Sequence, residues 1–313
     1  MSLLSVFSAP KPFTNPHIAM IQKNAIQSWQ QLGPEVDVML VGEEAGMAET
    51  AERLGVKHLP DVRRNAQGTP LVSSIFDLVR GASNSPFLAY VNADILLLPD
   101  FVDVTRQVAS QLQHFLLVGQ RWDLDITSPI DFSAGWQSRL EGNIRDKGKL
   151  HPSGGSDYFI FPRACFTRIP DFAIGRAGWD NWMIYEARRC GWRTVDATQS
   201  IHLVHQSHDY SHLPNGQPHY RLPETFENVR LAGGARMILN LRDCDARCEQ
   251  GKVLAARMSW QKFWREVELF PLLRLHSYPL AQLAYGLFHP VKAYRELRAR
   301  LRKRENPENT LAG

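Results

Sequence analysis

Phe87-Leu88-Ala89-Tyr90-Val91-Asn92-Ala93-Asp94-Ile95-Leu96-Leu97-Leu98-Pro99 decides how this chain is read. The stretch opens as a short apolar run of strand-forming residues, breaks at Asn92-Ala93-Asp94, and resumes as an apolar run that Pro99 stops. A short run with no polar alternation is the pattern of a strand buried on both faces. In open α/β sheets, ligands bind in the crevice beyond the carboxyl ends of the strands. Asp94 is thereby a candidate to hold a divalent cation under a nucleotide diphosphate. A turn or capping aspartate after a strand is the competing reading.

Upstream, strand and helix patterns alternate. Leu3-Leu4-Ser5-Val6-Phe7 is a buried strand ended by Ser8-Ala9-Pro10. Asn15-Pro16 then reads as an N-cap followed by proline at the first helical position, with Ile18, Ile21, Ala25 and Trp29 at helical spacing. Val36 to Val41 is a second strand, ending in Gly42 and the carboxylate Glu43. A helix from Met47 to Leu54, a short strand at His58-Leu59, the polar loop Arg63 to Gly68 and a helix capped by Thr69-Pro70 lead into the opening stretch. Such alternation implies βαβ units and a mostly parallel sheet. Downstream, Asp100 to Leu112 reads as a helix, Phe115 to Gly119 as a strand, and residues 121–153 as a long loop over the sheet. A strand at Tyr158 to Phe161, a helix from Asp180 to Arg189 and a last strand at Ser200 to His205 complete the domain.

Length and composition set the bounds. The 313 residues, 44% hydrophobic and 22% charged, suit one large globular domain with an appendage. The predicted division is 1–245 for the α/β domain and 246–313 for a helical, basic extension. Four cysteines with no framework spacing imply reduced thiols and a cytoplasmic protein, with Cys244/Cys248 an unmatched metal half-site. Residues 292–305 hold seven Lys or Arg against two Glu, more positive charge than the +4 of the whole chain. Basicity therefore belongs to the tail, and no basic motif recurs to suggest nucleic acid.

The order of these parts resembles a GT-A nucleotide-sugar glycosyltransferase, close to the bacterial family 2-like inverting enzymes, over Leu3 to Tyr210. The resemblance implies a Rossmann-like, mostly parallel sheet flanked by helices. It also implies a UDP- or GDP-sugar donor, Mn²⁺ or Mg²⁺, and a glycan or lipid-linked acceptor in polysaccharide biosynthesis. The family's DxD motif stands here as Asn92-Ala93-Asp94, so an amide replaces the first carboxylate. The family's Glu-Asp stands as Trp179-Asp180. On this resemblance Ser8, Pro10 and Glu43 line the nucleobase and ribose pocket, and His205 completes the metal site or contacts the diphosphate.

Each site residue has two readings. Asp94 is metal ligand or turn former, and Asn92 is nucleotide contact or turn former. Asp180 is the base that takes the acceptor proton, with Trp179 and Trp182 to stack on a sugar, or a helix cap. Asp157, after Gly154-Gly155, is placed to bind sugar hydroxyls. Arg64, beside Arg63, contacts phosphate or ribose, or is a solvated loop residue. His202, His205, His208 and His212 cluster near the last strand, and His205 is the metal candidate among them. Trp260 to Leu273, capped by Ser259, is expected to pack on the domain. Pro290 to Arg304 is expected to lie peripherally on a membrane face. Two alternatives stand beside the enzyme reading. One is a non-catalytic sugar-nucleotide-binding or scaffold protein, favoured by the missing carboxylate. The other is a sugar nucleotidyltransferase, for which Ser8-Ala9-Pro10-Lys11-Pro12 lacks the glycines of a phosphate cradle.

Overall fold

The computed structural model describes residues 2–208 and 222–305. His212 lies outside the described residues, as do the side chains of Arg300, Leu301, Arg302, Lys303 and Arg304. The elements in chain order are β1 (Leu4–Ser8), α1 (Pro16–Gln30), β2 (Val36–Val41), α2 (Met47–Leu54), β3 (Lys57–Leu59), α3 (Val72–Ala82), β4 (Phe87–Val91) and β5 (Ile95–Leu97). There follow α4 (Asp100–Ala109), β6 (Phe115–Val118), β7 (Trp122–Leu124), α5 (Trp136–Lys147), β8 (Lys149–Leu150), β9 (Tyr158–Pro162), α6 (Trp179–Arg189), β10 (Arg193–Asp196) and β11 (Leu203–Gln206). The chain continues through α7 (Pro223–Leu231), β12 (Ala246–Glu249), β13 (Lys252–Ala255), α8 (Trp260–Leu273), α9 (Tyr278–Phe288) and α10 (Pro290–Glu305).

Nine strands form the central sheet in the order β13-β12-β10-β6-β9-β4-β1-β2-β3. β1 pairs in parallel with β2 and β4, so that Val6 lies between Val38 and Ala89. The two sheet faces follow from strand alternation. Leu4, Val6, Ala89 and Ile160 face α1, α2 and α4 in one core cluster. Phe7, Tyr90 and Phe161 turn the other way, against Phe76 of α3, and Trp179 of α6 packs edge-on against Tyr90. This is the α/β class that the sequence implied, a mostly parallel sheet flanked by helices, with C-terminal helices after it.

β9 runs antiparallel between β4 and β6, pairing Val91 with Tyr158. A strand of opposite direction starts where its neighbours end. The loops before β9 and after β4 and β6 therefore meet at one mouth of the sheet. A second sheet, ordered β5-β11-β7-β8, closes over that region.

Several expectations need correction. Residues 121–153 are not a bare loop: they supply β7, β8 and α5, whose Trp136, Leu140 and Ile144 pack on Leu96, Leu98, Leu124 and Val204. Thr69 does not cap α3; Leu71 holds the N-cap position without a side-chain bond, and Thr69 instead bonds Glu224. The strand through His205 is not the last, since β12 and β13 follow. Because β12 pairs with β10, residues 246–255 belong to the sheet, and the compact units are Met1–Ala256 and Arg257–Gly313 rather than 1–245 and 246–313. In the second unit α9 packs on α8 and α10 on α9.

α1 gives a test of what holds the sheets together. Asn15 Oδ1 accepts the backbone N–H groups of His17 and Ile18 at 2.9 and 3.1 Å, as its position before Pro16 predicts. Trp29, fully buried, donates its indole N–H to the Ile95 carbonyl at 2.8 Å and so ties α1 to β5. In urea denaturation, Trp29→Ala should cost about 3–5 kcal/mol, whereas Asn15→Ala should cost only about 0.5–2 kcal/mol.

Candidate active site

The opening stretch divides at its polar break. β4 ends at Val91, the Ile95 N–H returns to the Asn92 carbonyl at 3.1 Å, and β5 leaves for the second sheet. The Asp94 carbonyl accepts from the backbone N–H and the side-chain amide of Gln206, each at 3.2 Å. Gln206 is itself fixed on α1, donating to the Ile21 carbonyl and accepting from Asn24. β11 pairs antiparallel with β5, His205 opposite Ile95. The turn and the histidines on either side of Gln206 are thus locked to one another through backbone bonds.

Asp94 Oδ2 lies 3.0 Å from His208 Nε2 and 3.8 Å from His205 Nε2. Asp94 Oδ1 is buried and has no hydrogen-bond partner among the described residues. One ligand atom from each of Asp94, His205 and His208 lies within 4.8 Å of the other two. Burial pushes the Asp94 carboxyl up, but the His208 hydrogen bond and the nearby His205 and Lys11 hold it well below the usual carboxylate range. Burial lowers His205, which keeps its imidazole in the neutral, ligating form. An orphaned carboxylate oxygen beside two imidazole nitrogens fits a divalent cation. This mixed set suits Mn²⁺ better than Mg²⁺, which prefers oxygen alone.

A second layer orients this group. His205 Nδ1 meets Asp123 Oδ1 at 3.1 Å, and His151 Nδ1 meets Asp123 Oδ2 at 2.7 Å. Arg121 donates to Asp123 Oδ1 at 3.0 Å and to Asp157 Oδ1 at 2.5 Å. Asp157 also accepts from the Asn92 side-chain amide at 2.8 Å, and Asn92 Oδ1 accepts from the Tyr90 hydroxyl at 3.0 Å. Arg121 bridges the two carboxylates of Asp123 and Asp157 between the turn and β9.

Asp180 sits in the first turn of α6, where a carboxylate is favoured by the helix dipole. Its Oδ1 accepts from the Gly178 N–H at 3.1 Å. Burial nevertheless raises its carboxyl to about 6; backbone N–H groups of Asn181 and Gly178 oppose the shift, and Asp157 adds to it. Trp179 and Trp182 do not offer themselves to a sugar. Both are buried, Trp179 against Tyr90 and Phe159 and Trp182 against Phe172.

At the β1 end, Ser8 is fully buried with an unpartnered Oγ, and Pro10 is buried beside it. Gln22 pins the loop by accepting from the Lys11 N–H at 2.7 Å and donating to the Lys11 carbonyl at 3.0 Å. Burial lowers the Lys11 ammonium while Asp94 opposes the shift, so this cation belongs to the same site. At the β2 end Glu43 is exposed, and Glu44 is the carboxylate turned to Arg64, at 2.9 Å. Arg64 also donates to the Gly68 carbonyl. Gly42, at φ +130°, leaves the space that Glu44 occupies: a Cβ there would meet Glu44 Oε2 at 2.3 Å.

The structure thus brings together Asn92, Asp94, Asp157 and His205, with Asp180 near Asp157. It sets Arg64 with Glu44 instead. His202 is separate, bonded through Nδ1 to Asp100 at 2.7 Å. Cys244 and Cys248 are buried and form no disulfide, and neither joins a metal-ligating group among the described residues. Sequence reasoning passed over Lys11, Glu44, Arg121, Asp123 and His151, and ranked His208 below His205. The alternation Arg121-Trp122-Asp123 within the supposed loop was the available signal for that strand.

No protein-family model matches the chain, and no curated protein does. Comparison with solved structures finds glucosyl-3-phosphoglycerate synthase of Mycobacterium tuberculosis, 15% identical over 74% of this chain and 81% of that one, at a TM-score of 0.47. The same enzyme in complex with Mn²⁺, UDP and phosphoglyceric acid gives 12% identity over 74% and 79%, at 0.44. A mannosyltransferase of Pyrobaculum calidifontis in complex with GDP-Man and Mn²⁺ gives 11% identity over 67% of this chain and 58% of that one, at 0.42.

The Asp180 shift carries a sign that can be measured. A carboxyl whose pKa is higher in the fold than in the unfolded chain stabilises the fold fully below the unfolded value, near 3.8, and that stability is lost as pH rises through about 6. Urea midpoints measured across this interval should therefore show a smaller fall with rising pH in Asp180→Asn than in the parent chain.

Proposed function

We propose that this protein is a metal-dependent glycosyltransferase. It would move a sugar from a UDP- or GDP-linked donor to a hydroxyl of a glycan or lipid-linked acceptor, with inversion. The observation that carries this reading is the Asp94 carboxylate at the mouth where β4 ends, whose Oδ2 faces His208 and His205 and whose buried Oδ1 has no hydrogen-bond partner among the described residues. These three residues would hold the cation, whose chemistry is to stabilise charge developing on a leaving diphosphate. Lys11 adds fixed positive charge beside Asp94.

Asp180 supplies the acid–base half. Its carboxyl, raised to about 6, is ionised near neutral pH and remains basic enough to take a hydroxyl proton. One base and a departing diphosphate suffice for a direct displacement, which inverts the anomeric centre. Asn92, Asp157 and Arg121 keep the floor between the two halves rigid. Buried Ser8 and Pro10 and the Arg64–Glu44 pair give the nucleoside a side to bind. A cytoplasmic place at a membrane face, in polysaccharide biosynthesis, completes the reading.

The amide at Asn92 supports one competing reading, a sugar-nucleotide-binding protein that does not turn over its ligand. One assay separates the two. Transfer or hydrolysis across a panel of UDP- and GDP-sugars should require Mn²⁺ or Mg²⁺, stop on chelation, and fall about 100-fold or more in Asp94→Ala, the loss of about 3 kcal/mol of transition-state stabilisation. The rate should rise with pH through about 6, as Asp180 loses its proton, and Asp180→Asn should lose that limb. Undiminished turnover in Asp94→Ala would remove the metal role, and binding without turnover in the parent chain would favour the competing reading.

A further inference from the structure

The unit Arg257–Gly313 has the surface that the rest of the described chain lacks. α8 is apolar on two stripes. Leu269, Leu272 and Leu273 are buried. Trp260, Phe263, Trp264 and Val267, at i, i+3, i+4 and i+7, face outward, Trp260 being 73% exposed. The outward aromatics hold one another: Trp260 stacks on Phe263 at 6.0 Å and meets Trp264 edge-on at 5.4 Å. α9 repeats the pattern with Leu280, Leu283 and Leu287 exposed, and α10 with Val291, Tyr294 and Leu297. Before this unit, the described residues expose only Leu150, Phe226 and Leu254 of their large apolar side chains. Ordinary surfaces scatter such residues singly, and three consecutive helices that each expose a stripe mark an interaction surface.

The charge on the same unit says what covers it. Lys292, Arg295 and Arg298 lie on α10, and the sequence continues with Arg300, Arg302, Lys303 and Arg304. Two of the acids are already engaged: Glu268 is bonded by Arg265 and His289, and Glu296 accepts from the Tyr285 hydroxyl. The partner must therefore supply both an apolar phase and negative charge. A nucleic acid offers the charge without the apolar phase. A second copy of this chain would offer an apolar face carrying the same positive charge. A bilayer containing anionic lipid offers both together. No helix among the described residues is long and apolar enough to cross a membrane, which leaves lying in the interface.

We propose that Arg257–Glu305 is a peripheral membrane-docking unit for anionic lipid. The Trp260, Leu283 and Leu287 side chains enter the boundary between headgroups and acyl chains, where tryptophan is favoured. Lys292, Arg295 and Arg298 of α10 contact anionic headgroups. Neither part binds well alone: apolar insertion sets the depth, and charge sets the lipid preference. The proposal does not depend on sugar transfer, because none of its residues belongs to the Asp94 site.

Vesicle flotation of the full chain tests it, with phosphatidylcholine vesicles made with and without phosphatidylserine. The bound fraction should rise about tenfold or more when phosphatidylserine is present and fall back in high salt. Trp260→Ser with Leu283→Ser and Leu287→Ser should abolish binding to both vesicles. Lys292→Glu with Arg295→Glu and Arg298→Glu should abolish only the phosphatidylserine preference. Far-ultraviolet circular dichroism and an unchanged melting temperature establish that each variant is folded, since all six side chains are replaced on the surface. Binding that ignores lipid charge, or that survives both sets of substitutions in folded protein, would overturn the proposal. So would a concentration-dependent dimer, abolished by the serine variant, in a parent chain that fails to float.

Discussion

Everything at the mouth of the sheet depends on one constraint, that the largely buried Asp94 carboxylate keeps its Oδ1 without a hydrogen-bond partner among the described residues. Burying an ion without a partner costs several kcal/mol, so such a group persists only where the surroundings stabilise it. Here they do so on one side, through His208, His205 and Lys11. Its position is fixed from behind: the backbone N–H and side-chain amide of Gln206 donate to the Asp94 carbonyl, the same amide donates to Ile21 of α1, and the Trp29 indole of α1 donates to the Ile95 carbonyl of β5. These bonds hold the main chain that carries the carboxylate, and His208 holds its Oδ2.

The antiparallel β9 is the second element of the design. In a wholly parallel sheet the loop before a strand lies at the far edge from the ligand crevice. Reversing β9 brings Asp157 to the crevice, against Asn92, while β6 delivers Arg121 to the same place. The second sheet then sets His205 and Asp123 side by side in the parallel pairing of β11 with β7. Three connections, far apart in sequence, supply one network. An imidazole whose other nitrogen rests on a carboxylate is oriented for metal ligation.

Much of this was legible in the sequence, for physical reasons that differ by element. The strands of the sheet centre, β1, β2 and β4, are apolar runs because both their faces are covered, and the runs announce themselves. α1 was bounded by the Asn15-Pro16 signal, which the hydrogen bonds to Asn15 Oδ1 explain. The β13 side of the sheet was hidden: Arg193–Asp196 and Ala246–Glu249 each bury only two of four residues, so pairing with neighbouring strands rather than an apolar run makes them strands. α5 was hidden because only Trp136, Leu140 and Ile144 mark its inner face, in an otherwise polar segment. The candidate site was legible where residues adjoin or belong to an apolar strand: Asn92 and Asp94 just after β4, Asp157 just before β9, and His205 within β11. It was illegible where tertiary contact alone selects between neighbours, as with Glu44 over Glu43 or with Lys11.

The central claim is that Asp94 and the two histidines form one cation site. Isothermal titration of Mn²⁺ into the protein saturated with UDP or GDP tests it without requiring turnover or a known sugar. The account predicts one site per chain, weakened about 10–100-fold in Asp123→Asn and lost in Asp94→Ala and in His208→Ala while each variant still unfolds cooperatively. Unchanged Mn²⁺ affinity in folded Asp94→Ala would contradict it.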